Sequence, residues 1–138
     1  MEFTGLEGKM VALLEGVNLI GGYPMSLVCT DQGLLVASSG EQVRSEIVGG
    51  LTSLFNDIVS RAQRDLEFER VDELTLTNAD AMRYVIRPLP ISSDPRLFLV
   101  VQVPKNKSWR QHTNLLVKRL VAQLEPLVTP ISADEAEG

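Results

Sequence analysis

Residues 41–65 carry apolar side chains at spacings of three and four: Ile47, Leu51, Leu54, Ile58 and Ala62 make one stripe. Val48, Phe55, Val59 and Leu66 make a second stripe beside it. That period belongs to an α-helix, so the segment is expected as one long helix. One stripe is enough to cover a sheet. The second asks for a partner, because a monomer rarely leaves a large contiguous apolar patch in water. The alternative is a helix buried on two sides within one domain.

Around this helix the remaining signals fall into order. Thr4 followed by Glu7 has the spacing of a capping box, and Leu6, Met10, Leu13, Leu14 and Val17 mark one face of a first helix. That helix is expected to stop at Asn18 or soon after, since Gly21, Gly22 and Pro24 follow. Residues 25–30 and 34–38 are short β-compatible runs joined by Asp31-Gln32-Gly33, where Asp turns the backbone and Gly accepts positive φ, so a hairpin is expected. Ser38-Ser39-Gly40-Glu41 ends it and offers a cap for the long helix.

A charged link, residues 67–70, leads to residues 71–77, where Leu74 and Leu76 alternate with Thr75 and Thr77. Alternation means one buried and one wet face. Asn78-Ala79-Asp80 is turn chemistry, and residues 82–87 form a strand ended by Pro88 and Pro90. Residues 97–103 are nearly continuously apolar and are expected as the central strand, closed by Pro104. Ser108 to Gln111 repeats the capping-box pattern before a helix bearing Leu116, Leu120 and Leu124, flanked by Val117 and Val121 and ended near Pro126. Residues 1–128 are read as one domain, and residues 129–138, polar and acidic without periodicity, as a disordered tail.

The order helix, hairpin, long helix, three strands, helix is an α+β arrangement, a five-stranded antiparallel sheet flanked by helices. It resembles the roadblock/dynein light chain family, with profilin-like order α-β-β-α-β-β-β-α. The pieces that carry the resemblance are residues 26–38 with their Asp-x-Gly turn, the helix from Glu41, and Leu97-Phe98-Leu99-Val100-Val101. The loop from Asn18 to Pro24 is longer than the family's direct passage into the first strand. The resemblance implies a homodimer formed through the long helix and third strand, with Ile47, Val48, Leu51, Leu54, Phe55, Ile58, Leu74 and Leu76 as interface residues. It also implies an adaptor or regulator in signalling, some members of the family binding Ras-like small GTPases.

Composition bounds the rest. With 18 Asp plus Glu against 13 Lys plus Arg the net charge is -5, which opposes general attraction to nucleic acid. A single cysteine, Cys29, cannot form an internal disulfide and fits a reducing, cytoplasmic setting. No apolar run approaches the roughly 18 residues of a membrane span, so no direct membrane insertion is expected.

Catalytic chemistry is sparse. His112 is the sole histidine and far from Cys29 in sequence, which argues against a nucleophilic pair. No GxxxxGK[ST] loop occurs, and Gly49-Gly50 within the long helix reads as a place for close backbone approach. Glu67, Glu69, Asp72 and Glu73 read as solvated surface rather than metal ligands, so neither metal nor cofactor is expected. Trp109, beside Lys105, Lys107 and Arg110, reads either as the closure of the core or, with Arg110, as a partner contact. The expectation is a non-enzymatic dimeric adaptor for a small GTPase. The alternative is a small-ligand sensory domain.

Overall fold

The computed structural model describes residues 2–40, 45–92, 94–125 and 129–130. In chain order the elements are α1 (Glu2–Gly21), β1 (Met25–Thr30), β2 (Leu35–Gly40), α2 (Ser45–Asp65), β3 (Leu74–Thr77) and β4 (Arg83–Pro88). They continue with β5 (Ile91–Ser92), β6 (Leu97–Val103), α3 (Arg110–Leu124) and β7 (Thr129–Pro130). Five strands form an antiparallel sheet in the order β2-β1-β6-β4-β3, and β5 pairs with β7 in a separate ribbon. The α+β arrangement expected from the sequence is the one observed, with β5 and β7 added.

β6 is the central strand because it is apolar on both faces. Leu99, Val101 and Val103 point to a cluster shared with Met10 and Leu14 of α1 and Leu116 and Leu120 of α3. Phe98 and Val100 point to the opposite cluster, shared with Val48 and Phe55 of α2. The molecule therefore has three layers: α1 and α3, then the sheet, then α2. A strand with no wet side has to be covered twice, which is what its nearly unbroken apolar run encodes.

Several boundaries depart from expectation. α1 already includes Thr4, so Thr4 is not its N-cap, and the helix runs on to Gly21 rather than ending near Asn18. It stops where Gly22 takes φ +72° and the Tyr23 N–H donates to the Asn18 carbonyl at 3.0 Å, a glycine-terminated helix end. At the other helix, Ser108 does not cap: Trp109 occupies the N-cap position without a side-chain cap bond. The Ser108 carbonyl is instead taken by the Tyr23 hydroxyl. β3 is confined to four residues, since residues 66–73 form an irregular link. Ser38 and Ser39 lie within β2, and the cap proposed at Glu41 falls outside the described residues. Of the acidic stretch 129–138, Thr129 and Pro130 pair with Ser92 and Ile91, and the rest lies outside the described residues.

The hairpin turn forms at Asp31-Gln32-Gly33 as expected, but Thr30 rather than Asp31 supplies the side-chain acceptor. Gly33 adopts φ +85°, and the Thr30 hydroxyl oxygen accepts from the backbone N–H groups of Gln32 and Leu34 at 3.2 and 3.1 Å. In the β3–β4 turn, Asn78 Oδ1 accepts from the N–H groups of Asp80 and Met82 at 2.9 and 3.0 Å.

Candidate functional site

α2 lies on the sheet with one arc buried. Val48 and Phe55 are 2% and 1% exposed, and Thr52 and Ala62 are buried beside them. Thr52, the polar member, donates its hydroxyl to the carbonyls of Val48 and Gly49, so its burial leaves nothing unpaired.

The two flanks of that arc differ. On one, the helix meets the hairpin turn: Asn56 Nδ2 donates to the Asp31 carbonyl at 3.3 Å, and the Gly33 backbone closes on Gly49. The opposite flank carries Ile47, Leu51, Leu54 and Ile58, of which Leu54 is 41% exposed and the others half-buried. Leu51 packs against the same cluster as Leu74 and Leu76 of β3 and Tyr84 of β4.

β3 is an end strand of the sheet, paired only with β4, so its outer backbone groups meet no further strand among the described residues. Unpaired edges invite pairing with another chain. Leu74 stands opposite Ile86 and Leu76 opposite Tyr84, placing both leucines on the α2 face.

The eight residues named as an interface therefore separate. Ile47, Leu51, Leu54, Ile58, Leu74 and Leu76 keep surface to offer. Val48 and Phe55 do not, because they are spent on the protein's own core, against Phe98 and Val100. The split does not follow the two stripes as wholes, since Leu66 of the second is 64% exposed and Ala62 of the first is buried. Spacing alone could not separate the stripes, as both are apolar and adjoin on the helix.

On the opposite face of the sheet, Trp109 is partly buried and closes the end of the α1/α3 core. Its indole N–H donates to Glu73 Oε2 at 3.3 Å, and that carboxylate also accepts from the Thr75 hydroxyl at 3.1 Å. The guanidinium carbons of Arg83 and Arg110 stand 5.3 and 5.5 Å from the ring centre, cation–π distances. Arg110 itself is exposed. Arg87 reaches from β4 to α3, its Nη1 donating to Asn114 Oδ1 at 2.6 Å and to Thr113 Oγ1 at 3.3 Å.

His112 has a partner that its isolation in the sequence did not disclose. Tyr23 spends its only hydroxyl proton on the Ser108 carbonyl, so at the 3.0 Å contact between Tyr23 Oη and His112 Nδ1 the histidine is the donor. Burial pushes the Tyr23 hydroxyl pKa up. The bond clips the start of α3 to the residue after the Gly21-Gly22 break. Cys29 belongs to the α2-side cluster and His112 to the α3 side, so the sheet separates them and they form no nucleophilic pair. Burial raises the Cys29 thiol to about 12.

Among the described residues no group of three or more His, Cys, Asp or Glu side chains is arranged to hold a metal ion. No described helix is long and apolar enough to cross a membrane.

No family model matches the sequence, and no curated protein does. Solved structures match over most of the chain. An MglB with tetrameric arrangement superposes with a TM-score of 0.75 at 14% identity, covering 88% of this chain and 91% of that one. The roadblock/LC7 domain from Streptomyces avermitilis gives 0.69 at 12% identity over 84% and 94%. The gliding protein MglB from Thermus thermophilus gives 0.68 at 15% identity over 88% and 92%.

Proposed function

We propose that this chain, whose fold is that of the roadblock/LC7 domains, is a non-enzymatic homodimeric adaptor or regulator whose partner is a Ras-like small GTPase. The observation that carries the reading is the apolar flank of α2, Ile47, Leu51, Leu54 and Ile58, on the face where Leu74 and Leu76 of the open-edged β3 also lie. A partly exposed aliphatic flank and an unpaired strand are each a liability to a monomer, and together they are what a second copy covers. Trp109 and Arg110 are a second candidate contact, on the opposite face of the sheet. Likeness to MglB structures, one of them in a tetrameric arrangement, supports self-association in a protein of this shape.

Two measurements test the reading. Sedimentation across the micromolar range should show a dimer, burying on the order of 1,200–2,000 Å² as specific interfaces do. Calorimetric titration into candidate small GTPases loaded with GTP or GDP analogues should then show a preference for one nucleotide state, since differential affinity is the only route by which a partner shifts a conformational equilibrium. The purified protein alone should neither hydrolyse nor tightly bind GTP. A stable monomer, or tight binding of a small metabolite with indifference to every GTPase, would overturn the reading.

A further inference from the structure

The outer face of the α1/α3 layer, across the sheet from α2, combines protruding aliphatic side chains with cations that form no ion pair among the described residues. Leu19 and Ile20, on the last turn of α1, are 84% and 73% exposed, and Leu115 of α3 is 45% exposed. Ile20 and Leu115 line a groove of about 120 Å³ between the two helices, together with His112 and Arg119. Lys107 lies against Gly22, just past Ile20, and Arg110, Lys118 and Arg119 are exposed along α3.

Charge is segregated along the chain. Residues 81–125 hold eight of the 13 Lys and Arg but two of the 18 Asp and Glu, Asp94 and, at the very end of α3, Glu125. The ion pairs among the described residues, Arg61–Asp57, Arg64–Asp65 and Arg70–Asp72, all lie in α2 and the link after it. None involves the cations of α3 or of the loop before it. Glu15 of α1 lines a second cleft with Leu19 and with Ser39 of β2, and does not line the groove that holds Ile20 and Arg119.

We propose that this face rests on an anionic lipid surface, with Leu19, Ile20 and Leu115 entering the headgroup boundary and Lys107, Lys118 and Arg119 against lipid phosphates. The occupant has to be negative and apolar at once. A nucleic-acid backbone supplies charge without aliphatic surface. A folded acidic protein would need a rigid pocket for each of two side chains that stand almost wholly clear, whereas a fluid lipid surface conforms to them.

Plane geometry adds to this, and here the inference rests on the dimer proposed above. Antiparallel pairing of β3 with its counterpart in a second copy sets the two-fold axis normal to the sheet, so both α1/α3 layers look the same way. Two shallow sites on one plane reinforce each other by effective concentration, which a membrane exploits and a single soluble peptide does not. The overall charge of -5 does not prevent this, because attraction of basic residues to a lipid surface decays within a Debye length.

Flotation of the full chain with vesicles tests the proposal. Binding is expected with vesicles containing phosphatidylglycerol and not with phosphatidylcholine alone, and it should weaken as salt is raised. Removal of one basic contact should weaken it about fivefold, so Lys107→Glu and Arg119→Glu together should abolish it. Ile20→Ser with Leu115→Ser should lower it on the order of tenfold. These positions are exposed or rim the groove, so thermal midpoints should hold. Arg61→Glu, on α2 across the sheet, should bind as the unaltered protein does.

Failure to bind the phosphatidylglycerol vesicles, or equal weakening by Arg61→Glu, would overturn the proposal. So would saturation by a soluble acidic amphipathic peptide with no vesicle binding. Sedimentation without vesicles keeps the two readings apart. A monomer that binds vesicles through Arg119 retains the lipid face and removes the dimer, and a dimer that ignores vesicles does the reverse.

Discussion

Phe55 of α2 and Phe98 of β6 lie with ring centroids 4.7 Å apart and planes tilted by 58°, and neither is more than 1% exposed. The tilt lets the edge of one ring meet the face of the other, the arrangement aromatic quadrupoles favour. This contact seats α2 on the central strand and thereby fixes which arc of the helix is left outward. Phe55→Ala should destabilise the fold by about 3–5 kcal/mol, read as a lower urea midpoint at unchanged slope. A loss below about 1 kcal/mol would mean that α2 is held elsewhere.

Leu54 isolates the proposed interface from the core, being one position before Phe55 and 41% exposed. Leu54→Asp should leave thermal stability of the monomer nearly unchanged while converting the dimer to monomer in sedimentation, because a carboxylate in a dry interface is costly unless paired. Leu51→Asp should dissociate the dimer too, and should also lower monomer stability, since Leu51 is half-buried on the cluster containing Leu74 and Leu76. A Leu54→Asp protein that remains dimeric would contradict the assignment of this flank.

Periodicity located α2, β6 and the helical faces of α1 and α3, because each buries a repeating pattern with few competing choices. It could not tell which arc of α2 the protein keeps for itself, an arc that takes Val48 and Phe55 from one stripe and Ala62 from the other. That depends on Phe98 and Val100 pointing to one face of a strand whose both faces are apolar. Helix ends were the weakest reading. Thr4 and Ser108 have cap chemistry, but the Tyr23 hydroxyl takes the Ser108 carbonyl and Trp109 is held by Glu73, so α3 starts from tertiary contacts rather than from its own cap. The run of cations through residues 81–124 was visible in the sequence, but the net charge concealed it. Its meaning depends on α3 lying beside the exposed end of α1.

Gly33 is constrained twice, by φ +85° and by a Cβ position 3.1 Å from the Gly49 Cα. Gly33→Ala should therefore cost about 1–2 kcal/mol from the backbone conformation, with the contact against α2 adding to it. Gly49→Ala is the contrasting variant, because a Cβ there meets nothing within 4 Å. It should stabilise by up to about 1 kcal/mol through helix propensity. Urea unfolding of the two proteins should shift in opposite directions. A shift in the same direction would show that the turn and helix approach differently.

Cys29 should report global unfolding. The thiol is fully buried, and burial holds its pKa at about 12, above the ordinary value of 9.0. Native protein at pH 8 should react with a thiol reagent only as fast as it unfolds, and urea beyond the midpoint should make the reaction prompt. The sign of the pH dependence follows from the same shift. Between about pH 9 and 12 the unfolded chain has released the thiol proton and the native one still holds it, so the unfolded state binds fewer protons. Stability should then fall as pH rises through that window, at most about 1.4 kcal/mol per pH unit from this group, and Cys29→Ala should remove that contribution. Rapid labelling of folded protein at pH 8 would place Cys29 at an accessible surface and contradict its position beneath α2.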